Sequence, residues 1–465
     1  VFAGVSGQQD ISGALTLYIS GRMEGSIEPC GCVSNQIGGL ARRDSFFIHL
    51  GKESAEAILI ENGNLTTGRG KTDPIKFQTI VSALNKMGYD ILNLGEKDAT
   101  LGLDFLKNVE QRAKFYFLSA NLATTNGKHP FQPSVVVTRQ VDGKPVRVGF
   151  IGVIGSVLGS RVRPTQEKFV MDDPAQAIES ELPKLRPKAD IIILLAHTTV
   201  DDAKKLADKF PEIDLVLHGY GGAALPSIQP NRGSTTRARL VGTGNAGKYL
   251  GKLDLAIDKD RKVVSKNLKA VSMGEKIPDS PDVRDMINLY LTAVKAKGLS
   301  DPGTTRTQTR GGTYIGSIKC QACHMDEFKV WQKSRHLQAA KTLVSEGKQN
   351  DTSCLRCHTT GWGYPAGFVS VEKTAHMADV GCESCHGVGS NHAANPKKGY
   401  GKVSAKDCTR CHDRENSPNF KYTKALAKIS HKKPKETKPP GTPRATPRAG
   451  NPALGGPQAR APKGQ

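Results

Sequence analysis

The sequence predicts a chain in two parts, an α/β sandwich over residues 1–298 and a mostly helical or irregular unit over residues 313–431. Three observations carry that division. Short apolar runs alternate with amphipathic stretches through about the first 275 residues, as strands and helices alternate in an α/β unit. Beyond a Thr-, Arg- and Gly-rich linker at 299–312 that alternation stops, and Cys-x-x-Cys-His occurs four times between residues 320 and 412. From residue 432 to 465 the chain is basic and Pro-rich, a composition that cannot build a core and is expected to be disordered.

Residues 14–20 (ALTLYIS) and 57–63 (AILIENG) read as buried strands. Residues 73–88 have helical periodicity and open on Asp73-Pro74, a good helix start. Strands are expected at 90–95 and 115–122, and a hairpin over 135–154 turning at Asp142-Gly143. A helix at 173–187, a strongly apolar strand at 189–197 and a helix at 200–210 follow, and 214–217 and 248–257 complete the strand set. Residues 280–298 read as one more helix, capped by Ser280 with Pro281 at its first position.

The repeated motifs are Cys320-Gln-Ala-Cys323-His324, Cys354-Leu-Arg-Cys357-His358, Cys382-Glu-Ser-Cys385-His386 and Cys408-Thr-Arg-Cys411-His412. Two thiols at this spacing can each form a thioether to a haem vinyl group, and the adjacent histidine falls beneath the iron. Structural zinc is the competing reading, but zinc needs four ligands and has no use for a histidine after every second cysteine. Four covalently bound haem c groups are therefore expected, with His324, His358, His386 and His412 as proximal ligands and porphyrin rather than side chains filling the core. A second axial ligand must come from the remaining histidines, of which His336, His376, His392 and His431 lie in this region. His376 precedes the third motif and can serve the second haem; Met325 or Met377 is a weaker alternative. Trp331, Trp362 and Tyr400 are expected to pack on porphyrin faces rather than to act in catalysis.

The formal charge is +22. Residues 313–431 hold 17 basic against 10 acidic side chains, and 432–465 hold 8 against 1. About eight haem propionates, ionised near neutral pH, would bring the motif region close to neutral. The excess positive charge then sits on the N-terminal part and the tail, and favours an acidic redox partner or an anionic surface. Nucleic-acid binding is not expected, because no aromatic-rich basic stripe is present and haem attachment takes place outside the bacterial cytoplasm. No apolar run approaches the length of a membrane span. Val1-Phe2-Ala3-Gly4 lacks the features of a signal peptide, so the numbering is expected to begin after its removal, with the protein periplasmic or extracellular.

The motif region resembles the tetrahaem cytochromes that carry electrons from hydroxylamine oxidation. The resemblance rests on Trp331-x-x-Ser334-x-His336 after the first motif, on the GCESCHG run at 381–387 before His392, and on Ser417-Pro-x-Phe420 after the last motif. It implies that His336, His392 and His431 are distal ligands, and that one haem can be five-coordinate.

Residues 12–298 resemble metallophosphoesterases of the 5′-nucleotidase/UDP-sugar hydrolase type, through Gly38-Gly39-Leu40-Ala41-Arg42, ILIENGNLTTG at 58–68, NKMGYDILNLG at 85–95, IIILLAH at 191–197, PEIDLVLHGYGG at 211–222 and GKYLGKLDLAI at 247–257. That family holds two metal ions with Asp, His and Asn at successive strand ends. Here those positions read Arg22-Met23-Glu24, Gly63-Asn64, Gly95-Glu96-Lys97 and Gly219-Tyr220-Gly221-Gly222, and only His197 stands where a ligand is expected. Cations at Arg22 and Lys97 would repel metal, so phosphoesterase activity is expected to be absent. Glu28-Pro29-Cys30-Gly31-Cys32 follows the first strand and resembles a Cys motif, sometimes with selenocysteine, that replaces the metal chemistry in a related family. Cys30 and Cys32 read as a structural disulfide, a redox or soft-metal pair that would be the catalytic candidate, or inert thiols.

The leading expectation is an exported tetrahaem electron carrier serving redox partners. A redox enzyme using an open haem iron or the Cys30/Cys32 pair is the second reading, and self-association into an extracellular haem filament the third.

Overall fold

The computed structural model describes residues 11–29, 36–68, 70–159, 169–220, 225–229, 239–300, 312–396, 399–413, 416–417 and 419–431. Two six-stranded sheets form the centre of the N-terminal unit. The first runs, edge to edge, Val263–Ser272, Tyr249–Asp258, Ile11–Ser20, Ile58–Asn62, Ile91–Asn93 and Tyr116–Leu118. The second runs Ser227–Gln229, Arg239–Gly242, Leu215–Tyr220, Ile191–Thr199, Lys144–Ile154 and Ser134–Val141. In the first sheet the four strands from Ile11–Ser20 to the edge strand Tyr116–Leu118 are parallel. In the second sheet the four inner strands, from Lys144–Ile154 to Arg239–Gly242, are parallel.

The sheets pack face to face through Leu17, Ile19, Ile58, Ile60, Ile193 and Leu217. Helices cover both outer faces. Asp73–Met87 and Pro281–Ala296 lie on the first sheet through Phe77, Ile80, Leu84, Ile287 and Tyr290. Pro174–Leu185 and Val200–Lys209 lie on the second through Ile178, Leu182, Ala203 and Leu206. Every residue of Ile58–Asn62 is buried, because a strand with covered faces on both sides needs an apolar run rather than an alternation.

The hairpin turns at Asp142 (φ 49°) and Gly143 (φ 71°), the two left-handed residues that a tight two-residue hairpin turn requires. Asp173 caps its helix by accepting from the amides of Ala175 and Gln176. Two expectations are corrected. Residues 115–122 do not form one strand, because Ser119 and Ala120 turn to the carbonyls of Gln132 and Gly152, and the chain re-enters as Leu122–Thr124 paired with Phe169–Met171. Ser280 does not cap its helix, since its hydroxyl donates to Asp44 on the helix Leu40–Leu50, although Pro281 does occupy the first turn.

The C-terminal region is mostly helical, in short pieces. Among the described residues its buried hydrophobic side chains are Phe328, Trp331, Leu343, Cys354, Leu355, Phe368, Met377 and Val388, and the other buried hydrophobic residues lie at or before Val294. Exposed large apolar side chains recur beside the motifs, at Ile318, Met325, Val344, Val371 and Tyr400. Among the described residues no helix is long and apolar enough to cross a membrane.

Candidate functional site: facing histidines and a rebuilt strand-end cluster

Each Cys-x-x-Cys-His motif is carried on or beside one turn of helix, at Ser317–Gln321, Thr352–His358, Cys382–His386 and Ala405–Thr409. Glu383, inside the third motif, is buried and accepts from the amides of Ile315, Gly316 and Gly389, so it ties the start of the first motif to the third. Cys320 lies within hydrogen-bond reach of Cys382. Cys357 likewise lies within hydrogen-bond reach of Cys411. Arg410 reaches the Ser384 carbonyl, joining the fourth motif to the third. The motifs therefore adjoin in the order first, third, fourth, second.

Three pairs of histidine rings face each other across a gap. His324 and His392 are 6.1 Å apart between ring centres, His386 and His431 6.1 Å, and His336 and His412 6.2 Å. Two metal–nitrogen bonds of about 2 Å each, with about 1 Å more on either side to the ring centre, set two axial imidazoles about 6 Å apart. The rings are therefore spaced for an iron between them. The tautomers agree. Nδ1 of His358, His386 and His412 lies 2.8, 2.6 and 3.0 Å from Ala339 O, Gly401 O and Ser417 Oγ, which leaves Nε2 of each as the ligating atom. The donor set fits haem.

Aromatic side chains hold these rings. Tyr400 stacks on His392 at 4.3 Å and 5°, and Phe420 on His412 at 4.5 Å and 7°. Trp331 instead packs on Phe328 and donates to Val380 O, and Trp362 donates to Ser300 O at the seam with the N-terminal unit. His376 sits on the short turn Ala375–Met377, its ring against Gly316 beside the first motif. Met325 is exposed and Met377 is buried in the small core. Cys30 and Cys32 lie outside the described residues, as do 301–311 and 432–465.

The second candidate centre is the C-terminal end of the parallel strands. Asn93 Nδ2 donates to Asn62 Oδ1 (2.8 Å) and Leu195 O (3.0 Å), and Asn62 Nδ2 to Leu217 O (3.1 Å), so a buried amide ladder joins the two sheets there. His197 is fully buried, with Nδ1 2.9 Å from Asn62 O and Nε2 2.8 Å from Glu96 Oε2. Burial opposes the Glu96 carboxylate, but contact with His197 and hydrogen bonds from Asn64 and the backbone together hold the group below its ordinary range. Asn64 donates to Glu96 and accepts from the Lys97 amide, and Gly95 is required because a Cβ there would lie 2.1 Å from Asn64 Oδ1. Lys97 Nζ donates to Glu24 (2.8 Å), Arg22 pairs with the same carboxylate, and the Arg22 guanidinium lies 4.2 Å over the Tyr220 ring.

The strand ends thus hold an ammonium and a guanidinium on one carboxylate, Glu24, and a second carboxylate, Glu96, against His197. Among the described residues no group of three His, Cys, Asp or Glu side chains is placed to hold a metal ion. The residues present do not fit a dinuclear centre. Added Mn²⁺ or Zn²⁺ is expected to produce no hydrolysis of 5′-AMP or bis(p-nitrophenyl) phosphate above the metal-only background. Turnover that scales with protein concentration would contradict this.

With this geometry in hand, solved structures give the fold. The calcineurin-like phosphoesterase YfkN of Bacillus subtilis superposes with a TM-score of 0.51 at 22% identity, covering 60% of this chain and 97% of that one. A 5′-nucleotidase precursor from Thermus thermophilus gives 0.52 at 17% identity, covering 72% and 68%. The N-terminal unit has the calcineurin-like phosphoesterase fold. In sequence, this phosphoesterase-like unit is 27% identical over 258 residues to the trifunctional nucleotide phosphoesterase YfkN of B. subtilis, covering 48% of this chain and 18% of that protein. It is 25% identical over 255 residues to the 2′,3′-cyclic-nucleotide 2′-phosphodiesterase/3′-nucleotidase of Salmonella typhimurium, covering 48% and 39%. The chain thus spans between about a fifth and two fifths of the length of these two relatives. Beyond the phosphoesterase-like unit, residues 319–387 match the family of cytochrome c554 and c-prime.

Proposed function

We propose that this chain is an exported tetrahaem c-type cytochrome that passes electrons between redox partners, its phosphoesterase-like unit acting as a platform without phosphoesterase activity. The observation that carries the reading is the set of three facing histidine pairs at 6.1–6.2 Å. The cytochrome c554 and c-prime match over 319–387 supports it, as does a helical region with few buried side chains of its own. Haem bound through the eight motif cysteines supplies a one-electron iron couple. The chain's residues fix that couple's surroundings. His324 and His392, His336 and His412, and His386 and His431 each provide two imidazoles, which favour low-spin iron of low potential. The carbonyls behind His358 and His386 orient those rings and raise their basicity. The motif order places each attachment turn against the next, which suits stepwise transfer along the series. Net positive charge favours acidic partner proteins.

Haem quantitation and electron paramagnetic resonance test the reading. The holoprotein is expected to carry four covalent haems per chain, with bis-histidine low-spin signals from at least three. His392→Ala should convert one of these to high spin and leave the others unchanged. Fewer than four haems, or an unaltered spectrum in that variant, would overturn the assignment.

A further inference from the structure

The second motif is the one that the N-terminal unit grips. Its helix, Thr352–His358, starts from Asp351, whose Oδ1 accepts from the Ser353 amide at 2.9 Å. Lys76, on the helix Asp73–Met87 of the phosphoesterase-like unit, places Nζ 3.1 Å from Ser353 Oγ and 4.0 Å from Asp351 Oδ1. Thr72 Oγ1 is 3.3 Å from Thr352 Oγ1. A second pair flanks the first, with Lys348 Nζ 3.2 Å from Pro29 O and 4.0 Å from Glu28. The side chains of Lys76 and Asp351 are only 5% and 7% exposed, and those of Lys348 and Glu28 only 9% and 5%. Two ammonium and two carboxylate groups are therefore out of water at the seam, and Ser353 is the neighbour of Cys354, itself buried.

A charge held in low dielectric next to a redox centre acts on its potential, because reduction adds one negative charge to the centre. Lys76 favours the reduced state and Asp351 the oxidised state. While the pair is intact their effects largely cancel. If one partner is removed, the other acts with little screening, because both side chains are almost wholly buried.

We propose that the phosphoesterase-like unit sets the reduction potential of the second haem through Lys76, a positioning residue balanced against Asp351. The inference rests on the tetrahaem reading above. It gives the N-terminal unit a task that requires no hydrolytic site. The second motif ends the series first, third, fourth, second, so tuning it decides whether electrons settle at the phosphoesterase-like unit or run away from it.

The test is a reductive titration of the full-length holoprotein followed in the visible haem bands, with the second haem assigned by the upward displacement of its wave in His358→Met. Lys76→Met is expected to lower that one wave, Asp351→Asn to raise it, and the double variant to return it close to its original position. The other three waves should stay in place. A seam that is only structural would open in either variant, admit water and move the wave in the same direction in both. That outcome, a shift shared by all four waves, or no shift would overturn the proposal. Asn still caps the helix, so Asp351→Asn decides alone should Lys76→Met not fold, and its wave must rise. A wild-type protein without four covalent haems would instead defeat the tetrahaem reading.

Discussion

Replacing all eight motif cysteines with serine is expected to leave residues 313–431 unfolded beside an intact N-terminal unit. Ordering each residue costs about 1–2 kcal/mol of conformational entropy. The buried side chains from Phe328 to Val388 are too few to offset that cost over a region of this length. Apolar residues exposed among the described residues, such as Ile318, Met325 and Val371, would gain cover from bound haem. The facing histidines add little to the apoprotein, since the two imidazoles of each pair stand about 6 Å apart from ring centre to ring centre. Limited proteolysis with mass spectrometry should show rapid cleavage throughout 313–431 and survival of a fragment ending near residue 300. Amide exchange should show protection lost in Thr352–His358 and Cys382–His386 but kept in Ile191–Thr199. An eight-serine chain protected across both parts would mean that the C-terminal region has a sufficient core of its own. The tetrahaem reading would then lose its main physical support.

The parts of this molecule that were legible in the sequence are those where a local rule fixes the outcome. The strand at 191–199 was readable because burial on both faces demands an unbroken apolar run, and the hairpin because Asp142-Gly143 supplies two left-handed residues. The motifs were readable from spacing alone. Val263–Ser272 gives no clear strand signal, because it is an edge strand that carries Lys266 and Lys269 among its apolar residues and so dilutes the alternation. Which histidine faces which was also beyond local rules. His336 follows the first motif in the chain yet faces His412 of the fourth, a pairing set by how the short helices stack. Lys76 gave no signal at all. A lysine in an amphipathic helix reads as solvated, but here it is buried between Tyr290 of its own unit and Asp351 of the docked C-terminal region. In the strand-end cluster the residue types were legible as incompatible with metal. That Glu24 would bridge Lys97 and Arg22, and that Glu96 would hold His197, needed the fold.

Arg43→Met is expected to cost the N-terminal unit about 3–5 kcal/mol, the usual consequence of leaving one member of a buried ion pair without its partner. Arg43 and Glu61 are 1% and 0% exposed, and Nη1 of Arg43 lies 3.2 Å from Glu61 Oε2, 3.0 Å from Tyr89 OH and 3.3 Å from Ser20 Oγ. Ser20 donates to the same carboxylate at 2.5 Å. The cluster lies under the first two parallel strands, at the level where the chain leaves Ser20 for Arg22 and Glu61 for Asn64, so the rebuilt strand-end cluster stands on it. Burial raises the Glu61 carboxyl above its ordinary range even with Arg43 beside it, and without Arg43 the rise is larger. A carboxyl raised in the folded state stabilises most when protonated, below its unfolded value, and that contribution is lost as pH climbs through the folded value. The loss in Arg43→Met should therefore be greatest at neutral pH and shrink toward pH 4. Pairing it with Glu61→Leu should recover much of the stability at pH 7, because two apolar side chains replace a pair whose desolvation is costly. Urea unfolding of the holoprotein variants, followed by amide exchange in Ile11–Ser20 and Ile58–Asn62, measures all three. A loss below about 1 kcal/mol in the single variant, the level of a surface pair, would show that the strand ends hold their geometry without this pair. The amide ladder of Asn62 and Asn93 would then be the element that fixes them.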